Sequence, residues 1–389
     1  MSAEAEADPS PDESPVKVID ALLPEYAGPH QIKAHLDQFV VGQEAAKTEL
    51  STLLSMHLLL SREPGHKLQT PNALLVGPTG VGKTYSVRTA AGFLRLPVVV
   101  ADATKLLPSG ASAETGEHID YLLAELLDAA QEIVNKIDRD ARREIAKVLR
   151  REYGYRGRSG LDSVDDLLAF ALAERGIVFL DEFDKLSFAG AAPNVAGWNR
   201  SIQGRLLKLV EGSEDPPMRV RGIPPIDTSG MLFIAAGAFA RIDSKKDYAS
   251  VLPTKPYSLH GSARSNLAAD VVTYGFIPEL IARFPILVRY SALAKDDLRR
   301  MLSNTATDPL QVFSFYFEKN GKRLVVTDEA LEAIASHAQV LEMGARGIHQ
   351  VIFPQIAKVA YAFFQQSDEA VYELTRDAVD QFVRGSGAA

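Results

Sequence analysis

The chain has 389 residues, 46% hydrophobic and 24% charged, with a formal net charge of −8 and no cysteine. That length supports a sizeable core and two domains, while the acidic balance disfavours generic nucleic-acid binding. Disulfides, thiolate zinc sites and a cysteine nucleophile are excluded, no apolar run approaches the roughly 20 residues of a membrane helix, and a reducing cytoplasm is the expected setting.

Residues 1–15 carry five acids and three prolines, and Met1 is their one bulky apolar side chain. They have neither the basic nor the apolar region of a signal peptide. Such a stretch cannot bury enough surface to offset its ordering entropy, so 1–25 is expected to be a disordered acidic tail. Ala27 to Leu60 reads as helical, with a break at Gly42. The apolar cluster before that break, Phe39-Val40-Val41, suits either core packing or an adenine site. Ala73-Leu74-Leu75-Val76 then reads as a short buried strand. It runs into Gly77-Pro78-Thr79-Gly80-Val81-Gly82-Lys83-Thr84, which fits GxxxxGK[ST], and Tyr85 to Leu94 has helix-forming composition. Strand, glycine-rich loop and helix together are the setting of a P-loop. Its glycines let consecutive N–H groups turn inward around phosphate oxygens, and the helix N-terminus adds partial positive charge. Lys83 is placed to reach the β- and γ-phosphates and Thr84 to ligate Mg²⁺, and Tyr85 is counted with the nucleotide-binding residues.

Leu96 to Val100 reads as the second strand, followed by a polar loop of small residues, 109–116. Ile119 to Glu152 reads as one long amphipathic helix or a helical pair, its apolar stripe running through Leu126, Ala130, Ile133, Ile137, Ala141, Ile145 and Leu149. Nine Lys/Arg against four Asp/Glu between Lys136 and Arg158 make either a solvated face or a contact for an acidic partner. A glycine-rich connection, 153–160, leads to a helix from Val164 to Glu174. Gly176 to Lys185 is the second chemical landmark. Four apolar residues form a buried strand, and Asp181 and Glu182 emerge at its C-terminal end, where parallel sheets place their chemistry. Asp181 suits the Mg²⁺ shell, and Glu182 suits polarising the water that attacks the γ-phosphate. Alone, the pair reads equally as an acidic turn.

Ser201 to Gly212 reads as a helix, Met218 to Thr228 as a proline-rich loop, Met231 to Ala236 as a buried strand and Asp243 to Ala268 as a long loop. Phe276 to Phe284 gives a helix ending near Arg283, and Ile286 to Val288 a further strand. From Ser291 the pattern turns mainly helical: Lys295–Asn304, Asp308–Asn320, Ala330–Ala338 and Ala345–Gln365, the last containing Pro354, which should kink it. Short strands are expected at Arg323–Val326 and Val371–Leu374, with Thr327 as a helix cap.

In this order the motifs resemble one family, the Clp/HslU group of AAA+ protein-unfolding ATPases. The resemblance runs from Leu36 to Phe364. It rests on LDQFVVGQEAAK at Leu36–Lys47, GPTGVGKT, GIVFLDEFDK, LLKLVEGS at Leu206–Ser213, MLFIAAGAFA, GFIPELIARFP at Gly275–Pro285 and GARGIH at Gly344–His349. It implies an α/β fold: a P-loop large domain with a mainly parallel sheet between helices, then a smaller, mostly helical lid. The corresponding bounds are 26–290, with a helical insertion at about 119–175, then 291–384 and a flexible tail at 385–389. It further implies ATP and Mg²⁺ as cofactors and a homo-hexameric ring with ATP between subunits. A protein substrate is implied too, with a peptidase as a possible partner. Carried over by position, Val40 and Val41 line the adenine pocket, Arg283 is the arginine finger reaching a neighbour's γ-phosphate, and Arg346 is the sensor-2 arginine. This chain departs from the family at its working ends. The stretch matching the aromatic pore loop is Gly110-Ala111-Ser112-Ala113. The region 248–267 holds no Ile-Gly-Phe-type docking tripeptide, and the C-terminus is Gly-Ser-Gly-Ala-Ala. Ala235-Ala236-Gly237, at sensor 1, offers no side-chain hydroxyl or amide. Two functions fit: ATP-driven protein unfolding, or an ATP-dependent switch acting on a partner without processive translocation. A DNA motor is disfavoured by the net charge.

Overall fold

The computed structural model describes residues 26–62, 68–107, 117–118, 120–152, 163–213, 225–240, 269–304, 308–366 and 370–386. The expected acidic tail, the pore-loop match at 110–113, the glycine-rich connection at 153–160, the loop at 243–268 and the last three residues lie outside these.

Five short strands form the core: β1 (Ala73–Val76), β2 (Val98–Asp102), β3 (Ile177–Asp181), β4 (Leu232–Gly237) and β5 (Ile286–Arg289). They pair in the order β2-β3-β4-β1-β5, each rung parallel. Their sequences are near-continuous runs of Val, Ile, Leu and Ala because both faces of a parallel sheet are covered. Every residue of β1 and β4 is buried accordingly. The register sets Val76 against Gly237 and Arg289, and Asp181 against Asp102. The strand ends that carry the glycine loop, the two carboxylates and Gly237 therefore share one edge.

Helices cover both faces. Helix α1 (Pro29–Phe39) starts with proline in its first turn and packs on α2 (Glu44–Arg62), and α3 (Lys83–Phe93) follows the glycine loop. Between β2 and β3 the described residues hold three α-helices, of which the first two are α4 (Asp120–Val134) and α5 (Arg139–Glu152). The apolar stripe seen in the sequence is interrupted where Asp138 Oδ1 accepts from the N–H groups of Asp140 and Ala141, starting a new helix. Helix α4 packs on β2, and both α4 and α5 pack on α6 (Val164–Ala173). All residues of α6 from Leu167 on are buried, and Ser163 caps it, its hydroxyl accepting from the Asp166 N–H at 2.9 Å.

Helix α7 (Pro193–Val210) begins eight residues before the expected Ser201. Its first half has no apolar stripe, being held instead by polar side chains. The short helix α8 (Pro278–Ala282) precedes β5. After β5 come α9 (Lys295–Ser303), α10 (Gln311–Lys319), α11 (Asp328–Val340) and α12 (Ala345–Gln366), with Pro354 inside α12. The strands β6 (Arg323–Val326) and β7 (Val371–Leu374) pair in parallel. Thr327 caps α11 as expected, accepting from the Ala330 N–H at 3.1 Å. A last helix, α13 (Arg376–Ser386), takes in the first two residues of the expected flexible tail, 385 and 386. No helix among the described residues is long and apolar enough to cross a membrane.

Candidate active site

The glycine loop leaves β1 and wraps the N-terminus of α3. Lys83 is 8% exposed, and its ammonium donates to the Gly77 and Pro78 carbonyls at 2.6 and 2.7 Å. Burial pushes its pKa below the ordinary value and the Arg346 charge adds to this, while Asp181, Asp184 and Glu182 pull the other way. Thr84 Oγ1 donates to Asp181 Oδ2 at 2.6 Å, joining the loop to the end of β3 across 97 residues of sequence. These are hard oxygens of the kind a small divalent cation takes. Glu182 follows in a left-handed conformation, φ 52° and ψ 31°, with its N–H donating to Asp181 Oδ1 at 2.9 Å. Such backbone in a non-glycine residue costs of order 1–3 kcal/mol and clusters at functional sites. Two residues on, Asp184 Oδ1 accepts from the Ala238 N–H at 3.1 Å and fixes the C-terminal end of β4.

These groups line a cavity of about 530 Å³. Thr79 through Tyr85, Asp181 and Glu182 form its polar floor. Val40 and Val41 face it from the linker between α1 and α2, and Leu293, Met301 and Pro309 close the apolar side from the C-terminal helices. Arg346 and His349, in the first turn of α12, complete the rim. Gly77 and Pro78 lie beneath, serving Lys83 through their carbonyls. Leu293, Met301 and Pro309 carried no signal in the sequence beyond being apolar.

The lid side touches the glycine loop directly. The Ala345 N–H donates to the Gly80 carbonyl at 2.9 Å, so the loop caps α12. Both Gly80 and Gly344 have positive φ, 72° and 57°, and a Cβ on Gly80 would overlap the Met343 carbonyl. No other residue type brings the two backbones this close.

Arg283 is elsewhere. Its carbonyl accepts from Asn72 Nδ2 at 3.1 Å, and Asn72 precedes β1, on the edge of the sheet away from the glycine loop. The length of β1 separates the two edges, roughly 15 Å at strand rise. The guanidinium pairs with Glu211 at 2.9 Å, both half-exposed. Behind it, the fully buried Gln203 joins the two regions. Its Nε2 donates to the Leu186 and Gly275 carbonyls at 2.8 and 3.2 Å, and its Oε1 accepts from the Ile277 N–H at 2.8 Å. Leu186 ends the turn that follows Glu182, and Ile277 caps the helix leading to Arg283.

A family model described as AAA domain (Cdc48 subfamily) matches residues 167–287. Full-length relatives extend the match. The ATP-binding subunit ClpX of the ATP-dependent Clp protease from Porphyromonas gingivalis is 31% identical over 346 residues, covering 83% of this chain and 75% of the relative. The chain belongs to the Clp/HslU group of AAA+ ATPases. The same subunit from Bacteroides thetaiotaomicron is 29% identical over 381 residues, covering 92% and 82%, and that from Borrelia duttonii is 28% identical over 375 residues, covering 90% and 78%. The strand order described above is the AAA+ α/β fold, and the protein is a nucleotide-binding ATPase.

Proposed function

We propose that this AAA+ ATPase is a protein unfoldase or remodelling chaperone that hydrolyses ATP between the subunits of a homo-hexameric ring. The observation that carries the interface is the position of Arg283. It lies at the sheet edge remote from the cavity that collects Lys83, Thr84, Asp181, Glu182 and Arg346, half-exposed and paired with Glu211, so it does not serve its own chain's nucleotide and is open to that of a neighbouring chain. The large domain is taken as 26–290 and the lid as 291–384, with the junction at Tyr290-Ser291.

In this reading Val40 and Val41 bound the adenine, and the backbone of Gly77 to Thr84 cradles the phosphates. Lys83 exchanges its two carbonyl partners for phosphate oxygens, a change eased by burial among its own loop. Thr84 and Asp181 would hold Mg²⁺, which would supply positive charge against the negative charge that develops on the phosphates. Glu182, directed by its left-handed backbone, orients the attacking water and takes its proton. Arg346 supplies charge from the lid, and Arg283 of an adjacent subunit supplies it from outside, so turnover depends on assembly. Substituting Glu182→Gln keeps shape and hydrogen-bonding capacity but removes the base. The expected outcome is retained ATP binding with hydrolysis lowered by about 10²–10³-fold. Captured proteins would be identified on that variant, and the wild type then tested for ATP-driven unfolding of a captured partner. Hydrolysis by the wild type with no unfolding of any captured protein would overturn the unfoldase reading.

A second reading is favoured by Gly110-Ala111-Ser112-Ala113, where the family's aromatic grip is replaced by small residues. The ATPase then switches a partner's binding without pulling a chain through a pore. Partner release on hydrolysis with the partner still folded would select it. A peptidase would have to dock through residues other than an Ile-Gly-Phe-type tripeptide, which 248–267 lacks.

A further inference from the structure

Gln43 stands between the adenine loop, Val40-Val41-Gly42, and the start of α2. It holds φ at 57°, a left-handed conformation that a side-chain-bearing residue adopts at a cost. Its amide reaches across 248 positions of sequence to one backbone unit. Nε2 donates to the Ser291 carbonyl at 2.7 Å, and the Ser291 N–H donates to Oε1 at 2.9 Å. Giving to and taking from the same residue reproduces one rung of a strand ladder, which fixes orientation as well as distance.

Ser291 is the junction itself. The residue before it, Tyr290, is buried and donates its N–H to the Val76 carbonyl at 2.8 Å, and it packs against Gly77 at the root of the phosphate loop. Two residues beyond Ser291, Leu293 walls the cavity, and α9 begins two residues further on, at Lys295. The connection between sheet and lid is thus gripped twice, from the phosphate side at Tyr290 and from the adenine side at Ser291. Two weaker contacts run beside the second grip. Asn304 Nδ2 donates to the Gln38 carbonyl at 3.2 Å, and Gly42 lies close enough to Asp297 that a Cβ would come within 3.1 Å of its carboxylate.

We propose that Gln43 is a positioning residue that passes occupancy of the adenine loop to the lid through its two hydrogen bonds to Ser291. The inference rests on the reading of the cavity as the nucleotide site. Glycine would adopt this φ without strain, whereas here a strained backbone places an amide whose two hydrogen bonds both go to the junction.

The full chain has no cysteine, so Arg88→Cys and Glu329→Cys, both exposed, accept two spin labels and nothing else does. Labelled chains diluted with unlabelled ones report the sheet-to-lid distance with and without a non-hydrolysed ATP analogue and Mg²⁺. Gln43→Met keeps the size and removes both bonds, and Gln43→Gly removes both and relieves the backbone. With either, we expect analogue affinity within about threefold of wild type and a nucleotide-driven distance change reduced by at least half. We also expect kcat lowered about tenfold at nearly unchanged KM. A distance change equal to that of the wild type in a folded Gln43→Met chain overturns the inference. So does a loss of activity carried by KM alone, or a wild-type distance that ignores the analogue. Lys83→Ala tests the underlying reading separately: if it binds the analogue as tightly as wild type, the cavity is not the nucleotide site, whatever Gln43 does.

Discussion

Thr84 and Asp181 are hydrogen-bonded to each other, and this makes the Thr84 hydroxyl testable. Thr84→Val preserves shape but deletes the donor, leaving Asp181 Oδ2 unpaired beside the cavity. We expect the Mg²⁺ concentration needed for half-maximal hydrolysis to rise at least about tenfold, and Thr84→Ser to restore it, as read from Mg²⁺ titrations of turnover. A different residue governs acid stability. His57 is buried with its Nε2–H donating to the Arg175 carbonyl at 2.9 Å, so its Nδ1 accepts from the Thr70 hydroxyl at 3.1 Å. Burial pushes its pKa down to about 4. The folded protein therefore refuses a proton that the unfolded chain takes near pH 6.5. Stability contributed by the neutral ring is present above pH 6.5 and lost progressively as pH falls toward 4, by about 3 kcal/mol in all. Denaturant unfolding at pH 7 and pH 4.5 should show a steeper loss in wild type than in a folded His57→Gln chain.

At the level of elements, the sequence revealed what is local and contiguous. Strand, glycine loop and helix at 73–94, and the apolar run ending in Asp181-Glu182, each declare themselves within some twenty residues, and the structure places them at one edge of the sheet. Val40 and Val41 left two readings open, because an apolar pair looks the same whether it packs or lines a cavity. The ties between elements were invisible. Gln43 finds Ser291, and Gln203 finds Leu186 and Ile277, through backbone groups that carry no residue identity. The start of α7 was missed for the same reason: Asn199 and Gln203 anchor it by donating to carbonyls at Ser187 and Leu186, so no apolar period marks it. Gln203→Leu would fill the space while orphaning the Ile277 N–H and the Leu186 carbonyl, the Gly275 carbonyl keeping the Phe188 N–H. A loss of about 2–3 kcal/mol is expected in chemical denaturation, with turnover falling further than stability accounts for, since the turn after Glu182 and the helix before Arg283 lose their common anchor.

Across the molecule, the lid rests on the phosphate loop through two glycines. Gly344→Val would force a side chain against the Gly80 carbonyl at a positive φ. The lid is then expected to lift, with KM for ATP rising at least about tenfold and Lys83, Asp181 and Glu182 left in place. Nucleotide titration of that variant against Arg346→Ala would tell lid seating from the charge the lid delivers.

The placement of Arg283 and Lys83 at opposite edges of one sheet has an arithmetic consequence. In the proposed ring each chain would own half of two different sites, so two inactive proteins would repair one another. Rings of Lys83→Ala alone and of Arg283→Ala alone should both be silent. In an equal mixture, a competent junction needs an intact loop from one parent beside an intact arginine from the other, and about a quarter of junctions meet that condition in a head-to-tail ring. Activity should therefore appear on mixing two dead preparations, at a fraction set by chance pairing.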